Sequence, residues 1–144
     1  MRGKNIRRYT NKDYRMICTW YIDRDMTPPP PEALSDVGYI VEERVAGWLY
    51  LTNSNIAMIE GIISDPASVP SFRRLATKRL IGTLVDLSIS LGYTNILGIT
   101  SHPSMIETIE PFGFKELDKR VFLLSETNEE AELITHDDDK LDNN

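Results

Sequence analysis

The chain has 144 residues, 41% apolar content and a net charge of −6, which is enough apolar mass for one compact domain with its own core. No apolar run approaches the roughly 18 residues of a membrane helix, and nothing apolar follows the basic start MRGKNIRRYT, so the expected location is the cytoplasm, with no membrane span and no secretory leader. The single cysteine, Cys18, precludes an internal disulfide and a cysteine-built metal site, and His102 and His136 stand in no metal-ligand spacing.

Ile6 to Tyr9 reads as a short first strand. Thr10 or Asn11 is a suitable cap for a helix starting near Lys12, with Tyr14, Ile17, Cys18, Tyr21 and Ile22 forming one apolar face at spacings of three and four. Cys18 reads as a small buried apolar residue on that face, with a reactive thiol as the alternative. Four prolines, Pro28 to Pro31, should end the helix and make a stiff connector. From Val37 the pattern changes to three strand-like runs, VGYIVEE, VAGWLYLT and IAMIEGIIS, joined by short turns at Glu43-Arg44 and at 53–55. They predict an antiparallel meander. Strict alternation in the third run puts Ile56, Met58, Glu60, Ile62 and Ser64 on one face, so Glu60 is a carboxylate in a largely apolar row, where its charge is costly to bury.

The linker ASVPSF leads to a long helix with a stripe of Leu80, Leu84, Leu87 and Leu91, widened by Ile81 and Ile89 and stopped at Gly92. Its start carries Arg73, Arg74, Lys78 and Arg79. Cations there oppose the helix dipole, so this crowding suggests an anion, although a solvated basic turn is the alternative. TNILGITS should be a strand parallel to the IAMIEGIIS run; SMIETIEPF reads as a short helix ended by the turn at Pro111 to Gly113. FKELDKRVFLLSE should close the domain, taken as residues 1–125, with one or two strands. From Glu126 onward eight acids face only Lys140, leaving residues 1–125 at about +1. The net acidity therefore belongs to a tail, 126–144, whose composition predicts disorder. Nucleic-acid binding would rest on Arg2, Lys4, Arg7 and Arg8, which have no stacking aromatics around them, and is disfavoured.

The order strand, helix, long loop, three antiparallel strands, helix, strand, helix, strand resembles the GNAT-type N-acetyltransferases over residues 5 to 124. That resemblance implies an α/β (α+β) fold with a mixed, mostly antiparallel sheet of about six strands, helices on both faces, and a splayed parallel pair at the cofactor crevice. In this family a Q/R-x-x-G-x-G/A loop binds the pyrophosphate of acetyl-CoA. The stretch Pro70-Ser71-Phe72-Arg73-Arg74-Leu75-Ala76-Thr77-Lys78 takes its place, with Arg73 at the first position and Ala76 and Lys78 at the glycine positions. The implied cofactor-binding set is Ile62, Ile63, Arg73, Arg74, Ala76, Thr77 and Lys78, with the backbone of Ile62 and Ile63 pairing with the pantetheine. Glu60 is the implied base for the acceptor amine. The family's acid tyrosine is replaced by Ile109, and its asparagine by His102, which leaves His102 and Ser101 as crevice candidates. The early Trp20, the proline-rich loop and the GYIVEE...AGWLYLTNS segment also resemble small acetyltransferase-like proteins of tailed bacteriophages. The expected activity is acetyl transfer from acetyl-CoA to an unidentified amine; a fold that has lost catalysis and serves as a binding or virion-associated module is the alternative. The oligomeric state is open.

Overall fold

The structure, a computed structural model, describes residues 5–100 and 102–117. Arg2, Lys4, Ser101, the closing strand beyond Leu117, the expected domain boundary at 125 and the acidic tail lie outside the described residues. The chain divides into two compact units, Met1–Phe114 and Lys115–Asn144, and the fold is that of the first.

In chain order the elements are β1 (Ile6–Arg8), α1 (Tyr14–Asp23), β2 (Gly38–Val41), β3 (Val45–Leu51), β4 (Ile56–Ser64), α2 (Pro70–Ser90), β5 (Asn95–Gly98) and α3 (Pro103–Ile109). The five strands form one sheet in sequential order. β1 to β4 are antiparallel neighbours and β5 runs parallel to β4, as a strand reached through a crossover helix must. Phe114 to Leu117 carry no regular structure.

Alternation along β2 and β3 divides the core between the two faces. Ile40, Ala46 and Trp48 join Ile17, Trp20 and Tyr21 of α1, whereas Val41, Val45 and Leu49 join Ala76, Leu80 and Leu84 of α2. Each fully buried leucine or isoleucine contributes about 1.5–3 kcal/mol, so α1 and α2 are held by their inward stripes more than by local propensity. Both stripes differ from simple periodicity. On α1, Trp20 is buried while Ile22 is 62% exposed. On α2 the buried row starts earlier, at Ala76 and Thr77, and Ile89 and Leu91 are exposed.

Both helices end in the same way, with the residue after the cap in the left-handed region: Asp25 (φ 61°) after α1 and Gly92 (φ 96°) after α2. The Met26 N–H then donates to the Tyr21 carbonyl and the Tyr93 N–H to the Ser88 carbonyl, the paired-bond stop that satisfies the last carbonyls. α1 therefore ends before the four prolines, not at them. The proline connector is instead tethered over the α1 face, where Tyr14 Oη donates to the Pro29 carbonyl at 2.7 Å and Tyr50 Oη to the Ala33 carbonyl at 3.0 Å.

The β2–β3 turn is strained. Glu42 and Glu43 both have positive φ (56° and 53°), which is unfavourable for side chains of this kind. Ion pairs hold the turn: Arg79 of α2 reaches Glu42 at 3.0 Å, and Arg7 of β1 bridges Glu43 at 2.6 Å and Asp13 at 2.8 Å.

Candidate active site

The site is created by a glycine inside β4. Trp48 lies opposite Glu60 and Ala46 opposite Ile63, so Gly61 and Ile62 together face Gly47. Gly61 has φ 75°, the left-handed geometry of a bulge that tolerates glycine with least strain. At the same level the parallel pairing stops: Ile59 opposite Gly98 is its last pair. From Glu60 to Ser64, β4 keeps β3 on one edge and has no strand partner on the other among the described residues. Two parallel strands that part beside an unpaired edge leave a crevice lined by free backbone groups.

The bulge also corrects the face assignment. Ile62 packs with the α2 cluster, on the side of Ala57 and Ile59, whereas Ile63 joins Trp48, Tyr21 and Ile17 on the α1 side. Strict alternation had put Ile62 beside Glu60; the extra residue at Gly61 moves Ile62 to the opposite face. Glu60 is half-buried, and burial pushes its carboxyl above the ordinary value, opposed by the backbone N–H groups of Gly61 and Ile99. Ile99 follows the last paired residue of β5, so a carboxylate acted on by both N–H groups sits in the mouth of the splay. No ion pair involves Glu60 among the described residues.

The phosphate loop implied by the sequence takes another form. α2 begins at Pro70, capped at Val69 without a side-chain hydrogen bond, so Arg73 to Lys78 lie within its first turns. The reason is compositional: Ala76 and Lys78 occupy the positions where glycines would resist helix formation, and both are good helix formers. Ala76 and Thr77 are buried, 1% and 8% exposed, and Thr77 Oγ1 donates to the Arg73 carbonyl at 2.9 Å. Both point into packing. The amides at 76–78 are inside the helix, and those left without a helical acceptor are Ser71 and Phe72. Arg73 donates to the Ser68 carbonyl at 2.7 Å and to the Pro66 carbonyl at 3.4 Å, fixing the loop before the helix. Arg74 and Lys78 are exposed.

His102 is exposed and precedes α3, where its carbonyl receives the Met105 and Ile106 N–H groups. Ser101 lies outside the described residues, and Ile109 is the last residue of α3. Two residues to which the sequence reading gave no role beyond packing flank the bulged half of β4. Arg24, just past α1, donates to the Ser64 carbonyl at 3.1 Å and to Ser64 Oγ at 2.7 Å, tying α1 to the end of β4. Tyr21, one turn earlier, is 9% exposed and packs with Trp48 and Ile63. No periodicity signals Arg24; the glycine inside a strand pattern was the available signal for the bulge. A cavity of about 220 Å³, lined by Glu42, Phe72, Leu75, Ala76 and Arg79, lies at the start of α2 and includes no residue of the β4–β5 splay. No group of three metal-binding side chains occurs among the described residues, and no described helix is long and apolar enough to cross a membrane.

Solved structures share this arrangement. A Thermus thermophilus protein superposes with a TM-score of 0.65 at 14% identity, over 88% of this chain and 100% of its own. A Trypanosoma brucei acetyltransferase gives 0.60 at 17% identity, over 83% and 98%. A Clostridium acetobutylicum protein, described as a predicted acetyltransferase and solved with acetyl-CoA, gives 0.58 at 15% identity, over 83% and 95%. The fold is that of the GNAT-type acetyltransferases. No protein-family model matches the sequence, and no curated protein matches it. The bulged strand and the parting β4–β5 pair bring free backbone of β4 and the Glu60 carboxylate together among the described residues.

Proposed function

We propose that this protein is an acyl-CoA-dependent N-acyltransferase, carrying an acetyl group from acetyl-CoA to an amine by direct attack. The observation that carries this reading is Glu60: a half-buried carboxylate with no ion-pair partner among the described residues, at the point where β4 and β5 part. The free edge at 60–64 suits the amides of an extended pantetheine, and the Ser71 and Phe72 N–H groups with exposed Arg74 and Lys78 suit a pyrophosphate; Ala76 and Thr77 do not take part, being buried. Acyl-CoA supplies an activated acyl group and a thiolate that can leave. Glu60 receives a proton from the acceptor ammonium, aided by a carboxyl whose affinity for protons burial has raised. The amine lone pair then forms the C–N bond as the C–S bond breaks. With Ile109 in place of a tyrosine, no side chain is assigned to protonate the thiolate, and solvent does so. Holding amine and thioester together in the crevice supplies much of the acceleration.

Thermal unfolding with millimolar acetyl-CoA tests the reading. Ligand at a hundredfold excess over Kd adds about 2.7 kcal/mol, a rise of roughly 5–10 °C for a chain of this size. The double substitution Arg74→Glu and Lys78→Glu should abolish the rise. No shift in the native protein sinks the cofactor assignment.

A second reading is favoured by the helical path through the glycine positions and by Ile109: a GNAT-fold binding module without catalysis, such as a phage-encoded protein associated with the virion or acting in the host cytoplasm. Acetyl-CoA binding without thiol release across a panel of amines would select it.

A further inference from the structure

The cavity beside the first turns of α2 holds a guanidinium with more donors than the fold uses. Glu42 is fully committed there: its Oε1 accepts from Asn5 Nδ2 at 2.9 Å and its Oε2 from Arg79 Nη1 at 3.0 Å. Arg79 is not. A guanidinium carries five N–H donors in a fixed fork, and among the described residues the Arg79 side chain donates to Glu42 alone. The wall beside it is apolar and open, with Phe72 and Leu75 40% and 53% exposed and Ala76 buried behind them.

Helix phase sets this cavity apart from the pyrophosphate groups named above. At 3.6 residues per turn, Arg74 and Lys78 lie about 130° round α2 from the stripe of Phe72, Leu75, Ala76 and Arg79. Between the two stripes is Gly82, where an added Cβ would come within 3.6 Å of Phe112. The cavity thus opens on the β2 side of the helix, away from α3. Its fourth side is the strained β2–β3 turn, where Glu42 and Glu43 hold φ values of 56° and 53°. Backbone strain of this kind persists only where neighbours over-determine it, and it gathers at binding sites. Here it aims the Glu42 carboxylate at Arg79, which fixes the guanidinium at the cavity wall.

We propose that this cavity binds a small monocarboxylic acid, its carboxylate accepting from the open N–H groups of Arg79 and its apolar body lying against Phe72, Leu75 and Ala76, at a site independent of the acyltransferase reading. The chemistry selects this class. A planar guanidinium pairs best with a planar carboxylate, whereas an ammonium would meet Arg79 as a like charge, with Glu42 already neutralised. The apolar wall favours an acid with a hydrocarbon body over a small hydrated anion. At 220 Å³ the cavity falls below the roughly 300–1,000 Å³ of pockets for drug-sized ligands, so the body is one ring or a short chain.

The experiment titrates sodium benzoate at constant ionic strength and pH 7.5 into the full chain carrying ¹³C-labelled leucine and alanine methyls, with and without saturating acetyl-CoA. The Leu75 and Ala76 methyls should shift saturably, while Ala46, in the core on the α1 face, stays still. Acetate lacks the body and benzyl alcohol lacks the charge, so each should bind at least tenfold more weakly than benzoate. Arg79→Gln and Leu75→Glu should each weaken benzoate at least tenfold, and Arg15→Gln, which removes an exposed cation on α1, should stay within twofold. Arg79 also holds the Glu42 turn, so Leu75→Glu, at a half-exposed position, decides the matter if Arg79→Gln does not fold. No saturable shift of the two methyls, Leu75→Glu within twofold of native, or acetate or benzyl alcohol binding as tightly as benzoate overturns the proposal. So does displacement of benzoate by acetyl-CoA, which would place the anion in the cofactor crevice. Methyl shifts that follow protein concentration and not benzoate would assign the surface to a second copy of the chain and overturn it as well.

Discussion

Replacing Gly61 by alanine tests whether the bulge makes the site. Alanine at φ 75° meets the left-handed penalty of about 1–2 kcal/mol, of which the stiffer unfolded chain returns about 0.4–1 kcal/mol. The added Cβ would also lie 3.2 Å from Trp48 Cε3 and 3.6 Å from Cζ3. Trp48 is fully buried, and on its other side Gly38 already lies so close that a Cβ there would come to 2.4 Å from Cδ1. The ring therefore has no room to retreat, and overpacking of this kind costs about 1–3 kcal/mol. Gly92→Ala is the internal control, because Gly92 has φ 96° and nothing within 4 Å of an added Cβ, so it carries the backbone term alone. Urea and thermal melts should place Gly92→Ala about 0.5–1 kcal/mol below the native protein and Gly61→Ala about 2–4 kcal/mol below, the latter a fall of roughly 5–12 °C. Acetyl-CoA binding should drop at least tenfold in Gly61→Ala and stay unchanged in Gly92→Ala. Equal melting of the two variants would refute the claim that Trp48 locks the bulge, and undiminished binding would separate the bulge from the site.

Two further substitutions test the electrostatics. Burial raises the folded carboxyl of Glu60 above its ordinary 4.5, so the native state holds this proton longer than the unfolded chain does. The protein should lose stability as pH climbs from the unfolded value through the raised one, and Glu60→Gln should remove that loss, melting higher than native at pH 7; a lower melt across that window contradicts the assigned burial. Conversely, Arg7 holds both Asp13 and Glu43 below the usual carboxylate range, against burial. That stabilisation is present above the unfolded pKa values, near 4, and is lost as pH falls through the depressed folded values. With the Arg7 and Glu43 side chains 40% and 52% exposed, screening limits the contribution to about 1 kcal/mol. Arg7→Gln should flatten the acid limb of stability, an effect that disappears in high salt for the native protein as well; an unchanged limb counts against it.

Sequence determined the scaffold, because local chemistry repeats along the chain. The alternating runs of β2 to β4, the leucines of α2, the stop at Gly92 and the crossover to β5 all follow from periodicity and turn chemistry, and Glu60 already stood out as a carboxylate in an apolar row. Tertiary structure decided the rest. A single positive φ at Gly61 reversed the faces of Ile62 and Ile63, which alternation cannot foresee because one inserted residue shifts every later side chain. The same motif residues that suggested a phosphate loop proved to be helix formers, so Ala76 and Thr77 went into the core and the open amides moved back to Ser71 and Phe72. Tyr21 and Arg24 came beside the bulged half of β4 only when α1 was laid along it, since a contact across some forty residues leaves no local pattern to read.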